Sequence, residues 1–157
     1  MTPAIKAARA AGIVHSVLEY AHDPAAPSYG LEAAQALELD PCSVFKTLVV
    51  ETAARTWAVA LVPVASQLDL KAMAAALAVR RADMARAEDA QRLTGYVVGG
   101  ISPLGQKRRL PMVVDTSVLA LAQVHVSAGR RGLEIALAPH DLLALTGART
   151  AAIARAD

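Results

Sequence analysis

Aromatic side chains are nearly missing from these 157 residues: one phenylalanine, one tryptophan and three tyrosines make up 3% of the chain. Hydrophobic residues still account for 55%, so alanine, leucine and valine must fill the interior, with backbones approaching closely. Cysteine occurs once, at Cys42, which excludes an internal disulfide and a Cys-cluster metal site. No apolar run reaches the roughly 20 residues of a membrane span. Neither sign of charge dominates, and a net formal charge of +2 argues against a general nucleic-acid binder. The N-terminal stretch spaces Lys6 and Arg9 along an alanine-rich helix, without the apolar core and cleavage site of a signal peptide. These features predict a soluble, cytoplasmic protein folded as a single domain over residues 1–157.

What is present reads as short, unevenly spaced elements. Thr2 and Pro3 form a helix start, as N-cap and first helical position, and Gly12 supplies the stop. Residues 15–20 alternate like a strand, 21–30 form a proline-containing loop, and Leu31, Ala34 and Leu37 mark a short amphipathic helix. Asp40-Pro41 opens a further helical turn. Residues 46–51 and 56–62 predict a β-hairpin, and their continuous apolar character implies strands covered on both faces. Asp69 caps a helix to about Leu77. A short strand over 79–82 follows, then a helix capped near Asp83 and ending at Thr94-Gly95. Further on, a strand is expected at 112–114 and a helical turn after Asp115. Strands at 123–127 and 133–137 and a last helix from Pro139 to Gly147 complete the chain. Such spacing argues against a regular βαβ winding. The fold class is α+β: a mixed, strongly curved sheet with helices packed on its outside.

Residues 94–109 carry the most chemical information. Gly99, Gly100, Pro103 and Gly105 crowd into seven residues, an apolar run read as a strand leads in, and Lys107-Arg108-Arg109 follow. Backbone N–H groups exposed by such a turn, beside cations, suit a polyanionic ligand. A nucleotide-hydrolase phosphate loop is excluded, because Gln106 sits where its lysine belongs and no Ser or Thr follows Lys107. A tight connector is the plain alternative. Lys46 opens an apolar strand between Phe45 and Thr47, where it either snorkels to solvent or serves a site. Ser127-Ala128-Gly129 ends a strand just before Arg130-Arg131, so a hydroxyl and backbone amides could face a ligand. His15, His22, His125 and His140 show no metal-ligand spacing, and Cys42 has no evident activating partner. No metal and no cofactor is expected.

Four segments in order carry a family likeness: Phe45-Lys46-Thr47, Gln67-Leu68-Asp69-Leu70-Lys71, Gly99-x-x-x-Pro103, and Val126-Ser127-Ala128-Gly129-Arg130-Arg131-Gly132-Leu133. Together they resemble the YbaK branch of the prolyl-tRNA-synthetase editing-domain family, from Thr2-Pro3-Ala4 through Ile153-Ala154-Arg155. The resemblance implies a partly open, barrel-like sheet with peripheral helices. It implies a trans-acting deacylase of mischarged Cys-tRNA(Pro), with tRNA(Pro) and prolyl-tRNA synthetase as partners and neither DNA nor membrane. Lys46 matches the family's indispensable lysine, whose expected role is electrostatic, near the acceptor-end phosphate or the reacting ester. The backbone of Gly99, Gly100 and Ile101 is expected to stabilise the oxyanion of ester cleavage.

Ser102, Pro103, Thr47, Tyr20, Tyr29, Ser127, Gly129 and Glu134 are expected, on the same resemblance, to border the substrate. Glu134 stands where relatives carry aspartate, and Tyr29 where they commonly carry phenylalanine. Lys107, Arg108, Arg109, Arg130 and Arg131 are the expected tRNA contacts. In this branch the substrate's own thiol attacks the carbonyl and releases a thiolactone, so no protein nucleophile is required. Two rival readings are deacylation of Ala-tRNA(Pro) or another small aminoacyl-tRNA, and a catalytically inert tRNA- or synthetase-binding module.

Overall fold

A computed structural model describes residues 1–156. Its elements are α1 (Pro3–Ala10), β1 (His15–Glu19), α2 (Tyr29–Ala36), β2 (Phe45–Thr52), β3 (Trp57–Pro63), β4 (Ser66–Leu68), α3 (Leu70–Ala76) and β5 (Ala82–Met84). There follow α4 (Ala87–Thr94), β6 (Met112–Asp115), a 3-10 turn (Thr116–Ala120), β7 (Val124–Arg130), β8 (Leu133–Leu137), α5 (Pro139–Thr146), β9 (Arg149–Ala151) and β10 (Ala154–Ala156).

Helix ends follow local chemistry. Thr2 caps α1 by accepting the Ile5 N–H, Ser28 caps α2 through Leu31, and Asp69 caps α3 through Ala72. Gly95 and Gly147 end α4 and α5 in the left-handed region, at φ of 80° and 67°, where a Cβ is disfavoured. Helix α4 starts later than expected. Asp83 belongs to β5 and pairs with Arg81 at 2.9 Å, while Arg86 takes the N-cap position without a side-chain cap.

Valine-rich runs place their branched Cβ atoms well on a pleated surface. Strands β2 and β3 accordingly form an antiparallel pair, with Lys46 opposite Val62 and Val50 opposite Ala58. Antiparallel β5 extends this pair on one side, and parallel β6 and β9 extend it on the other, in the order β5-β2-β3-β6-β9. Both faces are covered, as the continuous apolar strands predicted. Phe45, Val49, Val59 and Leu61 join one buried cluster with α1, β7 and β8. Val50, Ala58, Ala60 and Val62 join a second with Met73 and Ala74 of α3.

The expected single curved sheet is divided. Strands β1-β8-β7 form an antiparallel three-stranded sheet, and β10 pairs with β4 separately. A parallel bridge between Val44 and His125, with the His125 N–H donating to Ser43 O at 2.9 Å, joins the N-terminal end of β2 to β7. The three-stranded sheet therefore folds over one face of the five-stranded sheet, and the assembly is not a closed barrel. Asp115 anchors the segment that enters β10: its Oδ1 accepts the Ile153 and Ala154 N–H groups at 3.0 and 2.9 Å. Burial alone would raise this carboxyl, but those bonds and Ser117 hold it below its ordinary value.

Two expected strands differ. Residue 79 closes the end of α3, with Val79 N–H on Ala74 O, so pairing with β2 begins only at Ala82. The apolar residues 96–98 form no strand. Tyr96 turns inward and donates its hydroxyl to Leu104 O at 2.6 Å, while Val97 is 72% exposed. Flanked by the positive φ angles of Gly95 and Gly99, this run curls into a turn.

Candidate functional site

The N-terminal half of β2 borders a cavity of about 410 Å³. Five parts of the chain meet there: β2, the loop and first turn of α2, the segment from β5 into α4, the glycine loop, and the inner face of the three-stranded sheet. Eight sequence-predicted residues line it: Tyr20, Tyr29, Lys46, Thr47, Gly99, Ile101, Ser127 and Glu134. They span residues 20 to 134, and it is the β2–β7 bridge and the β7–β8 ladder that bring them together.

Lys46 is half-buried on β2, between buried Phe45 and half-buried Thr47. The Thr47 Oγ1 atom is buried and lacks a hydrogen-bond partner among the described residues. Such a hydroxyl costs free energy until something bonds it. Glu134 is 5% exposed, and burial pushes its carboxyl up to about 8. Burial also raises the Tyr20 phenol, opposed by a Gly132 backbone hydrogen bond and reinforced by the nearby Glu134 charge. Neutral forms are thus favoured on this wall of the cavity.

The glycine loop divides its labour. Gly99 sits at φ 97° with the Tyr29 ring against it. Gly100 donates its N–H to Val97 O at 2.9 Å, and a Cβ there would lie 2.6 Å from Arg130 Cα. Its amide therefore closes the turn rather than facing a ligand. No protein acceptor takes the N–H groups of Gly99 and Ile101 among the described residues. Ser102 is fully buried and accepts the Leu104 N–H, and Pro103 lines a second cavity of about 220 Å³ beside α1 and α5. Gly129, at φ 111°, packs on Tyr96 and Thr2 and donates to Ser127 Oγ. Gly100, Ser102, Pro103 and Gly129 thus shape the loop from behind.

The expected RNA-facing cations do not gather at the cavity. Arg108 and Arg92 lie over the Trp57 ring, 6.0 and 5.5 Å from its centroid. Arg109 donates to Leu145 O at the end of α5, at 3.4 Å. Lys107 and Arg130 are exposed. Arg131 is engaged inside the protein, with Glu32, Asp23 and Tyr29. Sequence reasoning missed Met84 and Ala85, which line the cavity because β5 pairs with β2 at Val50. No local pattern marks them. Among the described residues, no cluster of His, Cys, Asp and Glu could hold a metal ion.

The model of the aminoacyl-tRNA editing domain matches residues 23–145, a span that contains most of the cavity wall. The chain belongs to this family. EbsC of Enterococcus faecalis, a candidate Cys-tRNA(Pro)/Cys-tRNA(Cys) deacylase, is 36% identical over 120 residues, covering 76% of this chain and 73% of that protein. Among solved structures, a candidate trans-editing enzyme for prolyl-tRNA synthetase is 28% identical with a TM-score of 0.80, covering 99% of both chains. A hypothetical protein of known structure is 25% identical with a TM-score of 0.87, covering 98% of this chain and all of its own. The editing-domain fold therefore extends past the matched residues to α1 and the C-terminal strands. No helix among the described residues is long and apolar enough to cross a membrane.

Proposed function

We propose that this editing domain is a trans-acting aminoacyl-tRNA deacylase that clears Cys-tRNA(Pro), handed over by prolyl-tRNA synthetase. The observation that carries the reading is the composition of the cavity wall: a lysine, an unsatisfied threonine hydroxyl and a buried carboxyl, but neither histidine nor cysteine. Ser127 on that wall has no imidazole to activate it, and its Oγ already accepts the Gly129 N–H. Cys42 is exposed and stands apart. An aminoacyl ester is already activated, so orientation and oxyanion stabilisation serve in place of a triad.

In the proposed reaction the cysteine thiol of the substrate attacks its own carbonyl carbon. A C–S bond forms and the carbonyl oxygen becomes an oxyanion, which the Gly99 and Ile101 N–H groups stabilise. Collapse breaks the ester C–O bond, and the thiol proton ends on the ribose hydroxyl of the departing tRNA. The products are a four-membered thiolactone, which water then opens to cysteine, and uncharged tRNA. Lys46 contributes positive charge beside the acceptor end, whose phosphates it attracts. EbsC is named for two tRNAs and one amino acid, which supports the cysteinyl group, rather than the tRNA body, as what the cavity selects.

Cys-, Ala- and Pro-charged tRNA(Pro), each incubated with the purified protein, test the proposal through loss of the ester. Cysteine should be released much faster than the other two. Equal release of all three, or faster release of alanine, would remove the cysteinyl assignment.

A further inference from the structure

Arg131 lies in the turn between β7 and β8 and is expected to face RNA, yet its guanidinium is bound within the protein. The side chain is 19% exposed, and that of its partner Glu32 is 11% exposed. Arg131 Nη2 donates to Asp23 O at 2.8 Å and lies 3.4 Å from Glu32 Oε1. Glu32 Oε2 in turn accepts the Asp23 N–H at 2.6 Å, which ties the loop before α2 to the helix itself. The guanidinium carbon stands 4.0 Å from the centroid of the Tyr29 ring.

The other face of that ring is turned toward Gly99. A Cβ on Gly99 would lie 3.1 Å from Cδ2 and Cε2 of Tyr29 and 3.4 Å from Cζ. Such similar distances place it over the ring face; an approach along the ring edge would leave Cζ much farther away. Arg131 cannot share that face, because its guanidinium would then be among the nearest neighbours of the Gly99 position, and all three are Tyr29 atoms. Tyr29 is clamped between Gly99 and Arg131. Tyr29 and Gly99 line the cavity; Arg131 does not.

We infer that Arg131 is a positioning residue that holds Tyr29 against Gly99 and so fixes the wall of the aminoacyl cavity, rather than a grip on an RNA phosphate. The inference rests on the reading of this cavity as the aminoacyl site. A planar guanidinium can stack on a ring and hydrogen-bond in its own plane at once, which an ammonium cannot do. Taking a phosphate instead would strand the half-buried Glu32 carboxylate without its cation. With both partners shielded, solvent ions also screen the pair weakly.

Kinetics of Arg131→Lys and Arg131→Ala on Cys-tRNA(Pro), measured over a range of salt, separate the two roles. Positioning predicts that both variants lose kcat to a similar extent, on the order of tenfold or more, because lysine keeps the charge but not the stack. KM and its dependence on salt should stay close to wild type. A phosphate contact predicts a near-normal Arg131→Lys, and an Arg131→Ala with raised KM and a salt slope reduced by about one; that result would overturn the inference. Adding Tyr29→Leu to Arg131→Lys should cost little more than either change alone, whereas full additivity would show that Arg131 does not act through Tyr29.

Amide hydrogen exchange on the unliganded protein reads the clamp without any substrate. Residues 29–36 and 97–101 should exchange faster in Arg131→Lys while β6 stays protected, and unchanged exchange there would sink the clamp. Wild-type protein inert on every ester would defeat the deacylase reading alone, since the exchange result stands apart from it. Should Arg131→Lys fail to fold, Glu32→Gln leaves the stack in place and should move kcat and exchange in the same direction by less. No movement in that variant would count against the inference.

Discussion

Ser127 and Glu134 stand directly opposite each other across the β7–β8 ladder, and both line the cavity. No cation pairs with Glu134 among the described residues, and desolvation is what raises its carboxyl to about 8. At neutral pH the group is therefore mostly an uncharged acid, able to donate a hydrogen bond as well as accept one. The cavity thus adds the neutral Glu134 acid to the hydroxyls of Tyr20, Ser28, Tyr29, Thr47 and Ser127. Its one cation, Lys46, lies on a different strand.

That neutral carboxyl makes folding depend on pH. The folded group titrates near 8 and the unfolded one near the ordinary 4.5, so between those values the folded state holds a proton that the unfolded state has lost. Stability from this site is then fully present below pH 4.5 and declines as pH rises toward 8, by about 1.4 kcal/mol per pH unit. Glu134→Gln keeps the shape and removes the titration. Urea midpoints measured across this range should fall with pH in wild type and fall less in Glu134→Gln. Parallel curves would show that the carboxyl titrates normally.

Lys46→Ala should abolish deacylation and leave the fold intact. Its neighbours Phe45 and Val49 carry the packing of this part of β2, while Lys46 is only half-buried beside open space. Loss of a charge that acts on the reacting ester or its phosphate should appear as at least a hundredfold drop in kcat/KM, roughly the effect of removing one oxyanion-stabilising group. Circular dichroism should remain that of wild type. A folded Lys46→Ala protein with normal turnover would take the residue out of the mechanism.

Gly99→Ala should impair the site, and Gly12→Ala provides its control. Both glycines have positive φ, 97° and 67°, but a Cβ at Gly12 meets nothing within 4 Å while one at Gly99 meets the Tyr29 ring at 3.1 Å. Backbone strain of about 1–2 kcal/mol is common to the two. Only Gly99→Ala displaces a wall of the cavity. Thermal unfolding should register both substitutions, and deacylation should fall only in Gly99→Ala. Equal activity in the two variants would mean that the Tyr29–Gly99 contact does not bear on the reaction.

The central sheet was legible in the sequence because its strands are long and β-branched. Residues 46–51 and 56–62 fall inside β2 and, but for Thr56, inside β3, and the caps at Thr2 and Asp69 and the stops at Gly95 and Gly147 act through their own immediate neighbours. Strands β4, β9 and β10 were not legible, since three residues each are too few to display a period. Residues 96–98 have strand composition but no partner strand, and Tyr96 satisfies its hydroxyl at Leu104 instead. For the cavity, local chemistry alone left Lys46 and the glycine loop ambiguous; family likeness picked them out. Charge clustering placed Arg131 among the RNA contacts, because composition reports a charge and not its partner. Glu32, 99 residues away in the chain, takes that charge only once β7 and α2 are folded together.

Product identity decides between the thiol route and direct hydrolysis. Attack by the substrate's sulfur predicts that Ser- and Ala-charged tRNA(Pro) react far more slowly than the cysteine ester. Side chains differing by one small atom or group give a hydrophobic pocket only about 1–3 kcal/mol of discrimination, so a much larger gap requires chemistry that the thiol alone performs. Water attack needs only a carbonyl polarised by the Gly99 and Ile101 amides, and would tolerate alanine. Cys42→Ser should retain activity in either case, because that thiol is exposed and lies outside the cavity wall. Complete loss in a stably folded Cys42→Ser protein would point instead to a covalent enzyme intermediate. Single-turnover cleavage with rapid acid quench, followed by mass spectrometry, should capture the thiolactone ahead of free cysteine. Cysteine appearing at once, with no thiolactone at the earliest quench, would rule out the cyclisation and leave water as the nucleophile.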